Sequence, residues 1–394
     1  MMQHRLGGLT ASTIITYVIL STLVLATGRP NEPIILEHAD QMRNRGEVRE
    51  LIGNVHLRHN QKIIRSAHAL YNPVTGKVTL FGTSDPDEPT QMIEPVRLDE
   101  PGRTVSADRA DYNEFTGDFE AIGNVDMVIG DSVRIRCQRA YYLERDSLIQ
   151  LYDDIILDNY SDGAQITGRR GRWEQKNDDA FIEGNPVYRL PGSEGDPPDT
   201  LIINSRRLYF DRKDHSALFT GDVHLNKGEM LEATADSLHH QPDSDLTFLS
   251  GSPVIWRGDD RISGEQVELY YEGDLLERLV VIEDAVALSV AHPQEIHRNR
   301  LAGDLITMTM INDTTHVIWV NGHAYGHYHL WNEDDQYQGV NLSQADTIEL
   351  TVVARETTVV ILEGGTSGTF YPPDMVPPLE QSGQRIIMHQ GDNR

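Results

Sequence analysis

The sequence predicts an all-β fold: an elongated repeat array of strands, preceded by one apolar N-terminal helix. Three observations lead to this prediction. Helical periodicity is nearly absent after residue 30, apolar and polar residues alternate with a period of two, and two short phrases recur in turn along the chain. Such alternation is typical of half-buried antiparallel strands, and recurrence at a regular spacing is typical of repeat architectures.

Composition narrows the possible functions. The chain has 394 residues, of which 39% are hydrophobic, so it can build a core. Its 61 acidic and 34 basic residues give a net charge of -27, which argues against nucleic acid as a partner because nucleic-acid binding needs a cationic face. The single cysteine, Cys137, excludes a disulfide framework and any multi-cysteine metal site. We find no catalytic or cofactor-binding motif, and we expect a non-enzymatic protein without a cofactor.

The amino terminus carries an export signal. Residues 6–28 contain no charged side chain, and Arg5 and Arg29 flank them. A short cationic start, an apolar run and small residues at its end are typical of a signal peptide. The run is also long enough, at roughly 20 residues, to be retained as a membrane anchor. Residues 1–28 are therefore predicted to be a signal peptide or an N-terminal anchor, and both leave the rest of the chain exported.

The first recurring phrase places a glycine between an apolar position and a small or β-branched one. A glycine that recurs inside a strand pattern indicates a bulge or a bend. The clear copies are Gly53-Asn54-Val55, Gly123-Asn124-Val125 and Gly221-Asp222-Val223, and looser copies begin at Gly184, Gly251 and Gly322.

The second phrase, Ser-Ala-x-x-Ala/Leu-x-Tyr, alternates with the first. It is complete from Ser106 to Tyr112 and one residue shorter from Ser66 to Tyr71. Successive copies can be aligned on the position that the tyrosine occupies, and this position recurs after 41, 30, 31, 36, 30 and 31 residues. The residues at this position are Tyr71, Tyr112, Tyr142, Trp173, Tyr209, His239 and Tyr270. We expect one array over residues 34–371 with no internal boundary, followed by a mostly disordered, Pro-rich tail over 372–394.

Together the two phrases resemble the OstA-like repeat family, which includes lipopolysaccharide-transport proteins of the LptA and LptC types and the amino-terminal domain of LptD. The resemblance is clearest over 35–160 and 200–290 and is degenerate after 300. It implies an open β-jellyroll of V-shaped strand pairs in the periplasm, with lipopolysaccharide acyl chains held in an apolar groove. It also implies strand-edge pairing with other lipopolysaccharide-transport proteins or between copies of the chain as a homo-oligomer.

The residues expected to line the groove share the inward parity of their strands. They could equally fill a closed core, in which case the chain would be a structural envelope β-solenoid that binds protein or cell-wall glycan. A polysaccharide-active enzyme with paired outward carboxylates is a third possibility. The expected lipid-binding residues are Leu51, Val55, Leu57, Val125, Met127, Val133, Ile135, Phe219, Val223 and Leu225.

Three further sets of side chains could either bind a ligand or have a purely structural role. Arginines could bind phosphate or simply pair with neighbouring carboxylates, and the second is expected. Histidines that project from the same face of one strand could bind zinc, but the distance between them along the strand argues against a shared ion. Paired aspartates fit solvated turns better than calcium sites. The sets are Arg134, Arg136, Arg139, Arg169, Arg170, Arg172, Arg206 and Arg207; His323, His327 and His329; and Asp153-Asp154, Asp259-Asp260 and Asp334-Asp335.

Overall fold

A computed structural model describes residues 33–376, except 85–91, 162, 178, 192–199, 212–213, 215, 229–230, 273–274, 292–296, 313–314, 333–335 and 354–355. The predicted all-β class is confirmed: the described chain consists of antiparallel strands and two short 3-10 turns, Pro242–Ser244 and Pro373–Met375. The predicted export segment and most of the predicted tail lie outside the described residues. Within the described ranges, no helix is long and apolar enough to span a bilayer.

The strands follow one another with short connections. In chain order they are β1 Ile35–His38, β2 Gln41–Arg45, β3 Val48–His59, β4 Lys62–Asn72, β5 Lys77–Phe81, β6 Thr83–Ser84, β7 Met92–Glu94, β8 Val96–Glu100, β9 Arg103–Ala107, β10 Arg109–Asn113, β11 Phe119–Ile129, β12 Val133–Leu143, β13 Leu148–Asn159, β14 Gln165–Glu174, β15 Asp179–Glu183, β16 Val187–Leu190, β17 Leu201–Asn204, β18 Arg207–Asp211, β19 Ser216–Lys227, β20 Leu231–Gln241, β21 Leu246–Ser250, β22 Val254–Arg257, β23 Asp260–Ser263, β24 Gln266–Glu272, β25 Leu275–Val290, β26 Arg298–Met310, β27 Thr315–Trp331, β28 Tyr337–Val353, β29 Glu356–Glu363 and β30 Ser367–Tyr371.

The chain forms two compact units. The first comprises Met1–Gly228, Thr234–Thr247 and Gly273–Leu275, and the second comprises Glu229–Ala233, Phe248–Glu272 and Leu276–Arg394. The sequence indicated one array without a boundary, because the same repeat continues through both units. Strands β1–β19 belong to the first unit and β26–β30 to the second.

Strands such as β3, β11 and β19 bend at a two-residue corner, as the recurring glycine predicted, whereas their neighbours β4, β12 and β20 contain no residue with a positive φ. In β11 the corner is Gly123 and Asn124, with φ of 76° and 43°, and the ladder with β12 shifts register between Ile122 and Val125. Strand β10 pairs with the half of β11 before the corner, whereas β9 pairs with the half after it. Each bent strand therefore contributes to two half-sheets. We call them wall A, which holds 48–52 and 119–122, and wall B, which holds 55–59 and 125–129.

The corner explains why the two sequence phrases alternate. The backbone N–H of Asp108, in the second phrase, donates to the carbonyl of Gly123 at 3.0 Å, and the Asn124 amide donates to the Asp108 carboxylate at 2.9 Å. A Cβ at Gly123 would overlap that carboxylate. Only glycine combines the positive φ with so close an approach. Asp40 likewise donates its backbone N–H to the carbonyl of Gly53, and its carboxylate lies where a Cβ of Gly53 would be.

Inward parity continues through each corner because the corner adds an even number of residues. Along β3, Leu51, Val55 and Leu57 are all at most 2% exposed. Outward positions on the same walls carry charged residues, as in the 2.5 Å ion pair between Arg134 and Asp126. The core of the first unit is thus the space between walls A and B.

The second unit repeats this construction within its own residues. Corners with two positive φ angles lie at Gly322-His323 in β27 and at Gly364-Gly365 between β29 and β30. Val320 and Ile348 point inward and are at most 1% exposed. Strand β27 also buries a run of side chains on its outward face, namely Tyr325, His327 and His329.

Candidate lipid-binding interior

The predicted groove residues lie between the walls of the first unit. Nine of the ten are at most 3% exposed, and Leu225 is half-buried. Their burial agrees with the inward parity deduced from the alternation. It is equally what a closed core requires, so their role in binding lipid stays a prediction. The nine are Leu51, Val55, Leu57, Val125, Met127, Val133, Ile135, Phe219 and Val223.

One cavity lies between the walls beside Met127. Its volume is about 10 Å³, which is room for about one water molecule. Around this cavity the walls are therefore packed against each other by their own side chains. The lining comes from both walls and includes Leu98, Val105, Phe119, Ala121, Met127 and Ala140, together with Lys62, Arg103, Tyr141 and Tyr142.

Side-chain contacts join the walls along the edge opposite the corners, where the turns of the two walls face each other. We call this edge the seam. Lys62 of wall B forms an ion pair with Glu144 beside wall A. The Arg103 guanidinium, also of wall B, lies 4.0 Å from the ring centroid of Tyr142 in wall A. These residues are distant in sequence and meet only because the walls face each other.

A third contact crosses the seam between His59 Nδ1 and the hydroxyl of Tyr112. Burial raises the pKa of the Tyr112 hydroxyl, and the carboxylates of Glu144 and Glu100 raise it further. Tyr112 therefore stays protonated and uncharged. The seam is polar where the two walls meet and apolar immediately behind.

The two seam cations are largely buried. The Lys62 side chain is 11% exposed and the Arg103 side chain 4% exposed. Glu100 pairs with Arg103, and both cations lie within 6 Å of the Tyr142 ring centroid. Carboxylates and ring faces offset part of the desolvation of such cations. Sequence reasoning missed both residues, although each occupies an inward-parity position at the start of its strand.

The apolar interior is exposed at the N-terminal end of the array. Strands β1 and β2 flank β3 in the way that β9 and β10 flank β11. Leu36 is 41% exposed where its counterpart Val105 is 3% exposed, and Met42 is 57% exposed where Ala110 is fully buried. Within the described residues, no further pair of strands covers these two side chains.

The arginine clusters form surface ion pairs, as expected. Arg136 pairs with Asp158 at 2.7 Å, and Arg170 pairs with Glu183 at 3.2 Å. These arginines are at least 45% exposed and their carboxylate partners lie on the same wall. Arg134, Arg139, Arg172 and Arg206 also pair with carboxylates, so six of the eight predicted arginines have a partner within the described residues.

The three predicted histidines do not come together at one site. His323 lies at a corner beside Asp304, 2.9 Å from its carboxylate, whereas His327 and His329 share a buried face with their Nε2 atoms 3.2 Å apart. Among the described residues, no group of three or more His, Cys, Asp or Glu side chains is arranged to hold a metal ion. Asp153 and Asp154 form an exposed corner. Burial raises the pKa of the Cys137 thiol to about 11, which makes it unreactive.

Comparisons with known proteins give little beyond this geometry. No family model matches the chain, and no curated protein matches it. Among solved structures, the chain is similar to LptH from Pseudomonas aeruginosa, described as the LptA homologous periplasmic component of the lipopolysaccharide transport device. The identity is 13% and the TM-score 0.29, and the match covers 36% of this chain and 95% of that chain. A similarity this low carries no argument about function.

Proposed function

We propose that this chain is a non-enzymatic, periplasmic lipid-binding protein for lipopolysaccharide transport to the outer membrane. It holds acyl chains between walls A and B. The observation that carries the proposal is the apolar stripe between the walls, which continues from strand to strand and ends in the exposed Leu36 and Met42. The alternating sequence phrases and the export signal support the same function.

Acyl chains enter when the seam opens. A cavity of about 10 Å³ cannot hold one, so the walls must separate, with the corners as the covalent hinge. Each seam contact contributes on the order of 1 kcal/mol. Burying an acyl chain of about twelve methylenes contributes roughly 10 kcal/mol, at about 0.8 kcal/mol per CH₂. The burial of the acyl chain exceeds the contribution of the three seam contacts, and it must also offset the side-chain packing between the walls that their separation removes.

The exposed edge of β1 and β2 provides a place for a partner. Both strands pair with β3 on one side, and an unpaired strand edge accepts a strand from another chain. A strand of another lipopolysaccharide-transport protein, or of a second copy of this chain, would cover Leu36 and Met42. The apolar stripe would then continue into the partner.

Mass spectrometry of lipids that co-purify with the native protein tests the proposal. We expect lipopolysaccharide or a related glycolipid at a defined stoichiometry, bound through its acyl chains. A matched preparation of the Met127→Asp variant, which places a carboxylate on the stripe, should contain much less lipid. A native preparation that contains no acylated lipid contradicts the proposal.

The packed interior favours a second candidate, a structural envelope β-solenoid that binds protein or cell-wall glycan. In that case the walls never separate. Sedimentation of the protein with purified cell wall distinguishes the two: the solenoid should co-sediment and contain no lipid, whereas the lipid carrier should stay in solution with its lipid.

A further inference from the structure

A cluster of polar side chains is buried on the outward face of the second unit, away from the space between its walls. Arg300 in β26 lies directly opposite His327 in β27. Their exposures are 7% and 1%. Tyr325 shares this face, two residues from His327, and is 3% exposed. Most outward positions of the first unit are half-buried or exposed, so this group of three buried polar side chains differs from them.

Hydrogen bonds fix the orientation of the two neighbouring imidazoles. His329 Nδ1 lies 2.9 Å from the Tyr337 hydroxyl, and its Nε2 lies 3.2 Å from His327 Nε2. The half-buried ring of His297 stacks on His329 with centroids 4.6 Å apart. When the Tyr337 hydroxyl donates to His329, the His329 Nε2–H donates to His327 Nε2. This arrangement leaves the proton of His327 on Nδ1.

In the part of the chain that the structure describes, these groups have no acceptors. His327 Nδ1 and the Tyr325 hydroxyl are buried and have no hydrogen-bond partner among those residues. No carboxylate of the described residues forms an ion pair with Arg300. Its pKa is lowered by burial, and burial together with the Arg300 charge lowers the pKa of His327. Buried donors and buried charges in proteins are normally paired, because leaving them unpaired costs several kcal/mol.

We propose that this cluster is a binding site for an oxyanion of the phosphate class. The Arg300 guanidinium, His327 Nδ1–H and the Tyr325 hydroxyl donate to its oxygens. Arginine suits this ligand because its planar fork matches phosphate oxygens. A cation is the poorer ligand, since Arg300 would repel it. The site lies outside the proposed acyl-chain interior and does not depend on the proposed function.

Calorimetric titration of the full chain with inorganic phosphate, against sodium chloride at equal ionic strength, tests the site. Tyr325→Phe removes only an unpaired hydroxyl, so the variant should fold at least as stably as the original protein. It should bind phosphate several-fold more weakly, and Arg300→Met at least tenfold more weakly. His323→Gln is the matched control, because that side chain is 85% exposed at a corner of the same strand. Its affinity should be unchanged.

Two further titrations identify the source of the phosphate. A phosphorylated glycolipid in detergent and its dephosphorylated form are compared with inorganic phosphate. The gain in affinity of the phosphorylated lipid over its dephosphorylated form, if Arg300→Met abolishes it, assigns the site to a lipid head group, and equal binding of inorganic phosphate assigns it to the free ion. No specific phosphate binding, or equal affinity in the original protein and in Tyr325→Phe, overturns the proposal. Loss of this site leaves lipid binding between the walls unchanged, so the two proposals fail separately.

Discussion

Replacing the corner glycine Gly123 by alanine tests how the walls are built. The substitution places a Cβ at a φ of 76° and against the Asp108 carboxylate. Left-handed strain costs about 1–2 kcal/mol. Displacing the carboxylate breaks its hydrogen bond from Asn124, which costs about 1–2 kcal/mol more. We expect Gly123→Ala to lower the free energy of unfolding by about 2–4 kcal/mol.

A matched glycine separates the two contributions. Gly102 has a φ of 77°, and a Cβ there would meet nothing within 4 Å. Gly102→Ala should therefore cost only the strain, about 1–2 kcal/mol. The assay is urea denaturation of both variants followed by far-UV circular dichroism, with unchanged dependence on urea. Equal losses in the two variants would refute the role of the carboxylate in forming the corner.

Three other substitutions test the core, the seam and a buried imidazole. Leu57 is 2% exposed at an inward position, so Leu57→Ala should lower the free energy of unfolding by about 2–5 kcal/mol. Val128 is 37% exposed at an outward position, so Val128→Ala should change it by less than about 0.5 kcal/mol. Urea denaturation that ranks the two variants in the opposite order contradicts the assigned inward and outward faces. Lys62→Met removes a seam contact, so it should speed the uptake of a fluorescent acyl probe in stopped-flow measurements. The surface variant Arg134→Met should leave the rate of uptake unchanged. Equal rates in the two variants would argue against opening at the seam. Burial lowers the pKa of His240 to about 4, below its unfolded value of about 6.5, so the unfolded chain binds the extra proton and stability should fall as pH decreases from about 6.5 to 4. His240→Gln should weaken that pH dependence in denaturation curves, and an unchanged pH profile would exclude this imidazole as its source.

The sequence predicted the strands and their inward faces because both follow from local alternation. Leu51, Val55 and Leu57 are buried as their parity required. The glycine phrase also located bends such as Gly123. It missed the corner at Asp153 and Asp154, where two non-glycine residues adopt positive φ, because aspartate enters this region without a distinctive sequence pattern.

The seam and the outward cluster could not be predicted in the same way. Lys62 and Glu144 are 82 residues apart, and their pairing depends on how many strands separate them within the walls. The burial of His327 depends on what packs against an outward face, which alternation within one strand does not encode. Parity did place His327 and His329 on one face, but the intervening corner separated His323 from them.

Photo-crosslinking to a glycolipid tests the central claim, that acyl chains lie between the walls. A photoreactive residue replaces Met127, which points inward and is 2% exposed, or its neighbour Val128, which points outward and is 37% exposed. Both variants are expressed in lipopolysaccharide-producing cells and irradiated, and the adducts are identified by mass spectrometry. We predict lipopolysaccharide adducts through the acyl chains at position 127 and none at position 128. Adducts at 128 alone, or at neither position in folded protein, would contradict the claim.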